Sequence, residues 1–223
     1  MKQNLTIENV IIEAKAFCIN QSKLLNEALF GVTDGKAVGT HIEQKFQQHL
    51  AEIYDLKIGS SAKGIDLPSV DIDIKVTSIK QPQSSCPFKD AKQKIFGLGY
   101  NLLVLVYDKI DDPKTRTSKL NFVSCSFISK ERTADYTTTF RLREMVKDNA
   151  NIEDIIAYLN DKNIPADEIT LQQLAEQILN TPPEQGYLTI SNALQWRLQY
   201  QRIVTLSENV EGIYKIIDKM TSV

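Results

Sequence analysis

Apolar positions recur with two different periods along the chain, and the changes between them mark out its elements. Over residues 6–29, Ile7, Val10, Ile11, Ala14, Phe17, Leu24, Leu25 and Ala28 repeat near every 3.6 residues, predicting a helix broken by Gly31 and Gly35. A second helical stripe of Ile42, Phe46, Leu50 and Ile53 runs from Thr40, a suitable N-cap, to Tyr54. Gly59 to Gly64 reads as a turn with strand on each side. The period then shortens to two: Val70, Ile72, Ile74 and Val76 alternate with Asp71, Asp73 and Lys75, predicting a strand over 70–77 with one apolar face.

Pro87 suits the first position of a helix extending to Leu98. "NLLVLVYD" (101–108) has the continuous apolar character of a strand buried on both faces, and "KLNFVSCSFIS" (119–129) alternates as its neighbour. From Thr137 onward the pattern is nearly all helical, with Asn151, Thr170 and Ser191 as expected N-caps of three successive helices. Pro182, Pro183 and Gly186 separate the last two. This order predicts an α/β fold, with a mixed central β-sheet flanked by helices over residues 1–150 and an α-helical region over 151–223.

A chain of 223 residues can bury a sizeable interior as one large domain or as a core with a small accessory one. The acids and amides of the first 30 residues, among them Glu8, Glu13, Asn20, Gln21 and Glu27, do not resemble the basic start and apolar run of a signal peptide, so none is expected. No run approaches the roughly 20 apolar residues of a membrane span, so no membrane partner is expected. Three scattered cysteines, Cys18, Cys86 and Cys125, suggest neither a disulfide framework nor a zinc cage, and the cytoplasm is the expected compartment. His41 and His49 are the only histidines, so a bound metal would be held by carboxylates, which suit hard ions such as magnesium or manganese.

Charge is distributed unevenly. Residues 1–74 hold 7 basic and 10 acidic side chains, residues 75–147 hold 14 and 7, and residues 148–223 hold 5 and 11. An anionic ligand across the middle of the chain would meet positive charge, although a solvated charged surface produces the same pattern. The positive segment starts at Lys75, directly after an acidic cluster.

That cluster carries the candidate chemistry. Asp73 and Lys75 share a strand face, and the Pro68-Ser69 bend lets the chain bring Asp66 back to Asp73. Two carboxylates close together repel unless a cation joins them, and a neighbouring lysine adds a group for water or a phosphate oxygen. The bland alternative is a surface ion-pair cluster. Asp66, six intervening residues and then Asp73-Ile74-Lys75 resemble the signature of the PD-(D/E)xK nuclease superfamily, and within it the type II restriction endonucleases. Ile65 stands where the family name has Pro, and Asp73 is an accepted variant of Glu.

The resemblance covers roughly residues 38–130 and implies a restriction-endonuclease-like fold with Mg2+ as cofactor and Mn2+ as a possible substitute. It implies metal binding by Asp66, Asp73 and the Ile74 carbonyl, with Lys75 positioning or activating the attacking water. Glu43, in "GTHIEQKF", fits the family's glutamate on the preceding helix, and would assist through the metal or its waters. Gln93 is the favoured polar residue near the scissile phosphate, with Lys89, Lys92 and Lys94 beside it as DNA contacts. Asp71 matches no ligand position of the family and is left out of the site.

In the carboxy-terminal region, Gln195, Arg197, Gln199 and Arg202 would lie on a helix able to read DNA, since Arg and Gln pair with base edges. Three helices packing on the core or on a partner subunit fit the same pattern. The implied activity is sequence-specific hydrolysis of phosphodiester bonds in double-stranded DNA, leaving a 5′-phosphate and carried out by a homodimer. Alternatives are a repair nickase or junction resolvase of the same superfamily, and a noncatalytic DNA-binding regulator.

Overall fold

A computed structural model describes residues 2–56, 65–86, 90–191 and 196–219. The first half of the chain forms β1 (Gln3–Asn4), α1 (Ile7–Gln21), β2 (Leu25–Asn26), α2 (Gly35–Ile53), β3 (Tyr54–Asp55), β4 (Ile72–Ser78), β5 (Gln83–Cys86) and α3 (Lys92–Phe96). Then come β6 (Asn101–Asp112), β7 (Thr117–Ile128), α4 (Tyr136–Lys147), α5 (Ile152–Asp161), α6 (Glu168–Asn180), β8 (Thr189–Ser191), β9 (Trp196–Gln199), α7 (Gln201–Val204) and β10 (Ile213–Asp218). Among the described residues no helix is long and apolar enough to cross a membrane.

The chain divides into two compact units that interleave in sequence, unlike the expected division at residue 150. The first comprises Met1–Ser84, Tyr100–Ile128 and Val204–Val223, and the second Ser85–Gly99 and Ser129–Ile203. The carboxy-terminal segment returns to the first unit because β10 pairs antiparallel with β7, matching Ile213 to Ile128.

The first unit is built on a mixed sheet in the order β10-β7-β6-β4, with β2 also on β7. β4 and β6 run parallel, from Ile72 opposite Asn101 to Ser78 opposite Tyr107, while β6 and β7 form an antiparallel hairpin. Leu102 to Tyr107 are buried without interruption, as expected of a strand with neighbours on both edges and cover on both faces. α1 and α2 flank this sheet and contribute Val10, Ala14 and Phe17, and Val38, Ile42, Phe46 and Leu50, to one core. Phe17 and Phe46 meet at 5.0 Å between ring centroids, a tilted pair of the kind aromatic quadrupoles favour.

Two helix boundaries differ from expectation. α1 stops at Gln21, where the Ser22 hydroxyl and amide both return to the Cys18 carbonyl, and Leu25 and Asn26 pair with β7 instead. α2 starts at Gly35 under an Asp34 N-cap that accepts from the Lys36 amide, so Thr40 lies inside the helix. Gly39 belongs to that added turn for a packing reason: a Cβ there would stand 3.3 Å from the Val76 carbonyl oxygen of β4. Close approach of helix to strand outweighs glycine's poor helix propensity.

In the second unit α3, α4, α5 and α6 share a core of Ile95, Leu142, Ile155, Leu159, Leu174 and Ile178. Asn151 caps α5 as expected, in a capping box with Asp154. The cap of α6 is Asp167, whose carboxylate accepts from the Thr170 amide, and Thr170 is thus inside the first turn. α3 is shorter than the expected helix, and Pro87 lies outside the described residues, as does the Gly59 to Gly64 turn.

The third carboxy-terminal helix, the one expected to read DNA, is replaced by β8 and β9 with only α7 as helix. Ile190, Trp196 and Leu198 are buried while Thr189 and Arg197 are exposed, which is a period of two and not 3.6. The buried Asp135 carboxylate fixes β8 by accepting from the Ile190 amide at 2.8 Å.

Candidate active site

The geometry of the acidic cluster begins with a four-residue turn. Leu67 and Ile72 exchange backbone hydrogen bonds of 2.9 and 3.2 Å, closing Pro68 to Asp71 between them. Asp71 adopts φ +51°, a left-handed conformation that aspartate tolerates better than most side chains. β6 braces the turn: the Asn101 amide donates to the Asp71 carbonyl at 2.8 Å and its side chain donates to Val70. One residue further from the turn on each side stand Asp66 and Asp73.

The spacing of six residues between these acids is therefore the length of a tight turn plus one pair of flanking residues. Asp66 Oδ2 accepts from the Ile74 amide at 2.8 Å, and the Asp66 and Asp73 carboxyls are within hydrogen-bonding reach of each other. Lys75 Nζ sits 2.7 Å from Asp73 Oδ2, with both side chains largely buried. From α2, Glu43 accepts from the Val76 amide, and Gln47, one turn later, donates to Asp66 Oδ1 at 3.4 Å.

Burial and crowding set the protonation of this group. Asp73 is 4% exposed, and its carboxyl is pushed up to about 7. Burial is the main cause; the Lys75 ammonium opposes it, and the hydrogen bond with Asp66 adds to it. Glu43 is also raised above the usual carboxylate range, first by burial and then by the Asp66 charge, against the pull of Lys75 and the Val76 amide. Burial alone would lower Lys75, but the charge and hydrogen bond of Asp73, with Asp66 and Glu43 behind, leave it raised. Lys75 is therefore a held ammonium at neutral pH.

The donor set fits a divalent cation. Asp66 and Asp73 offer hard carboxylate oxygens close enough to compete for one proton, and a dication between them would relieve the same repulsion that raises Asp73. Among the described residues no three His, Cys, Asp or Glu side chains form a ready-made cage, so Glu43 is not gathered with the two aspartates as a third direct ligand.

The first unit thus brings together Asp66, Asp73, Ile74, Lys75 and Glu43, all anticipated from sequence. Asp71 is exposed on the turn, outside the β4 strand and apart from the face it was expected to share with Asp73 and Lys75. Gln47 and Gly39 were missed, though both are legible in retrospect. They lie four residues after and before Glu43, the spacing of one helix face.

Other expected residues belong to the second unit. Gln93 Nε2 is committed to the Leu98 carbonyl at 3.2 Å, which makes it a fastener of that loop rather than a free polar group. Lys94 is 5% exposed and its ammonium is lowered by burial against the opposing charge of Asp135, so it is not presented as a DNA contact. Lys92 is exposed. Arg197 and Gln199 lie on β9, and the Arg202 guanidinium packs over the Tyr136 ring at 3.6 Å, all three off the expected recognition helix. Lys89 and Gln195 lie outside the described residues.

Comparison with known proteins identifies the family. The family model of the type II restriction enzyme NspV matches residues 4–215. The type II restriction enzyme NspV of Nostoc sp. (strain ATCC 29411 / PCC 7524) is 52% identical over 212 residues, covering 95% of this chain and 96% of that protein. No solved structure matches. The match spans both compact units, including the whole acidic cluster and β9, and the chain belongs to the NspV family of type II restriction enzymes.

Proposed function

We propose that the chain is a magnesium-dependent endonuclease that hydrolyses phosphodiester bonds of double-stranded DNA at a specific sequence and leaves a 5′-phosphate. Membership in a type II restriction enzyme family supports site-specific cleavage. The observation that carries the chemistry is the Asp66–Asp73 carboxyl pair with Lys75 held 2.7 Å from Asp73.

Asp66 and Asp73, with the Ile74 carbonyl, would hold Mg2+, or Mn2+ in its place. Bound there, the ion would supply a water of lowered pKa and positive charge against the reacting phosphate. Lys75 is held as an ammonium. It acts as a hydrogen-bond donor that orients the attacking water and a phosphate oxygen, not as the base that removes a proton. The raised Glu43 carboxyl orients water from the α2 side, and Gln47 keeps Asp66 turned toward Asp73.

Cutting both strands of a symmetric site calls for two active sites related by a two-fold axis, hence a homodimer. The cytoplasm, where DNA is reached, is the working compartment. Incubation with phage and plasmid DNA, with Mg2+ and with EDTA, tests this reading. Discrete fragments that need Mg2+ and carry 5′-phosphates are expected. Relaxed circles would show a nickase, and a retained gel shift without cutting would show a DNA-binding regulator; either result overturns it.

A further inference from the structure

β8 and β9 pair antiparallel with Thr189 opposite Gln199, Ile190 opposite Leu198 and Ser191 opposite Arg197. The alternation sorts these residues by face. Ile190, Leu198 and Trp196 are buried, whereas Thr189 and Arg197 are exposed, with Gln199 and Ser191 half-buried on the same side. Along β8 and β9 that side is polar, with Thr189, Arg197 and Gln199 as its donors, while the Ser191 hydroxyl oxygen is buried.

Two further observations concern this face. Among the described residues neither the Arg197 nor the Gln199 side chain has a partner, so a fork donor and an amide are left unused. Between Glu184 and Glu208 the sequence has no acidic residue and carries Arg197 and Arg202, inside a stretch (148–223) that otherwise holds 11 acids. A stretch without acids in an otherwise acidic region is complementary to a polyanion.

We infer that this face of β8 and β9 enters the major groove of the target DNA, with Arg197 and Gln199 reading base edges and so setting sequence specificity. The inference rests on the endonuclease reading above and adds where its specificity resides. β9 is the middle strand of a three-stranded sheet in the order β5-β9-β8, and a sheet can read a DNA groove with the strands of the face it presents. Residues two apart on a strand are spaced by roughly 7 Å, about the rise of two base pairs. Arg197 and Gln199 can therefore address separate pairs without crossing. An arginine fork matches guanine O6 and N7, and a glutamine amide matches adenine N6 and N7. Arg197 is assigned to a guanine and Gln199 to an adenine.

The test uses the cognate duplex, found by mapping the cuts of the wild-type enzyme, and a scrambled duplex of the same composition. Binding is measured in the cleavage-deficient Asp73→Asn background, with 7-deazaguanine or 7-deazaadenine placed at each purine in turn. One guanine substitution is expected to weaken binding on the order of 10-fold or more, and Arg197→Ala is expected to be insensitive to that same substitution. Gln199→Ala should behave likewise at one adenine. Arg197→Lys keeps the charge but loses the fork, and should lose the cognate preference while retaining affinity for the scrambled duplex. Equal sensitivity of wild type and Arg197→Ala at every guanine, or full discrimination by Arg197→Lys, would overturn the assignment while leaving the enzyme an endonuclease. A wild-type protein that cuts no DNA would overturn both.

Discussion

Replacing Asp73 with Asn is expected to stabilise the metal-free protein at pH 8 while removing its cleavage activity. The folded chain holds this carboxyl at about 7 against an ordinary 3.8. Between those values the folded state retains a proton that the unfolded state has released. The corresponding stability is fully present below 3.8 and is lost as pH rises to about 7. Ionised Asp73 therefore costs the metal-free fold about 4 kcal/mol at pH 8, at 1.36 kcal/mol per pH unit. An asparagine copies the protonated form, turning its carbonyl to Lys75 and its NH2 to Asp66. The amide is an imperfect copy beside an ammonium at 2.7 Å, so a gain of about 2–4 kcal/mol is the working range. Urea unfolding in EDTA should show that gain at pH 8, a gain smaller by about 3 kcal/mol at pH 5, and none at pH 4. A variant less stable than wild type at pH 8, or a gain that does not change with pH, would refute the reasoning about burial of this carboxyl.

Four further outcomes follow from the same geometry. Asp71→Asn should cut DNA at a rate close to wild type, because Asp71 lies on the exposed turn and not in the cluster; a loss comparable to Asp73→Asn in a plasmid assay would restore it to the site. Gln47→Ala removes the donor to Asp66. It should raise the Mg2+ concentration for half-maximal cleavage on the order of 10-fold, with little change in the rate at saturation. Gly39→Val places a branched side chain against the Val76 carbonyl. It should cost about 1–3 kcal/mol by urea unfolding through overpacking. Millimolar Mg2+ should raise the Tm of wild type more at pH 8 than at pH 5, since the ion and the proton compete for Asp73, and should leave Asp73→Asn nearly unchanged.

The acidic cluster was legible because its spacing is a property of local chain geometry. A tight turn at Pro68 to Asp71 brings Asp66 and Asp73, with six residues between them, into register, and the alternation after Ile72 sets Asp73 and Lys75 on one face whatever the rest of the chain does. Asp71 was misplaced onto that face because alternation alone does not show where a turn ends and a strand starts. The φ of +51° at Asp71, closing the turn, is what the pattern cannot display. The start of α2 was hidden for the opposite reason. Gly35 read as a breaker, and the part Gly39 plays shows only against the strand it packs on, where it is a point of close approach.

The carboxy-terminal region misled most. "NALQWRLQYQRIV" contains strong helix formers, yet the buried residues Trp196, Leu198 and Tyr200 fall on every second position. Tertiary pairing with β8, itself fixed by Asp135, decides for strand over helix, and that pairing is not a local signal. The chemical reading of Arg197 and Gln199 as base-contacting residues survives the change of element only as a proposal, moved from a helix face to a sheet face.

The assignment of Asp66, Asp73 and Lys75 as the cutting centre is tested most directly by single-turnover cleavage of phage DNA in Mg2+ by wild type, Asp73→Asn and Lys75→Ala. Wild type should produce discrete fragments. Both variants should be slowed on the order of 10³-fold or more while still binding the cognate duplex. Cleavage at the wild-type rate by either variant would place the chemistry elsewhere in the chain.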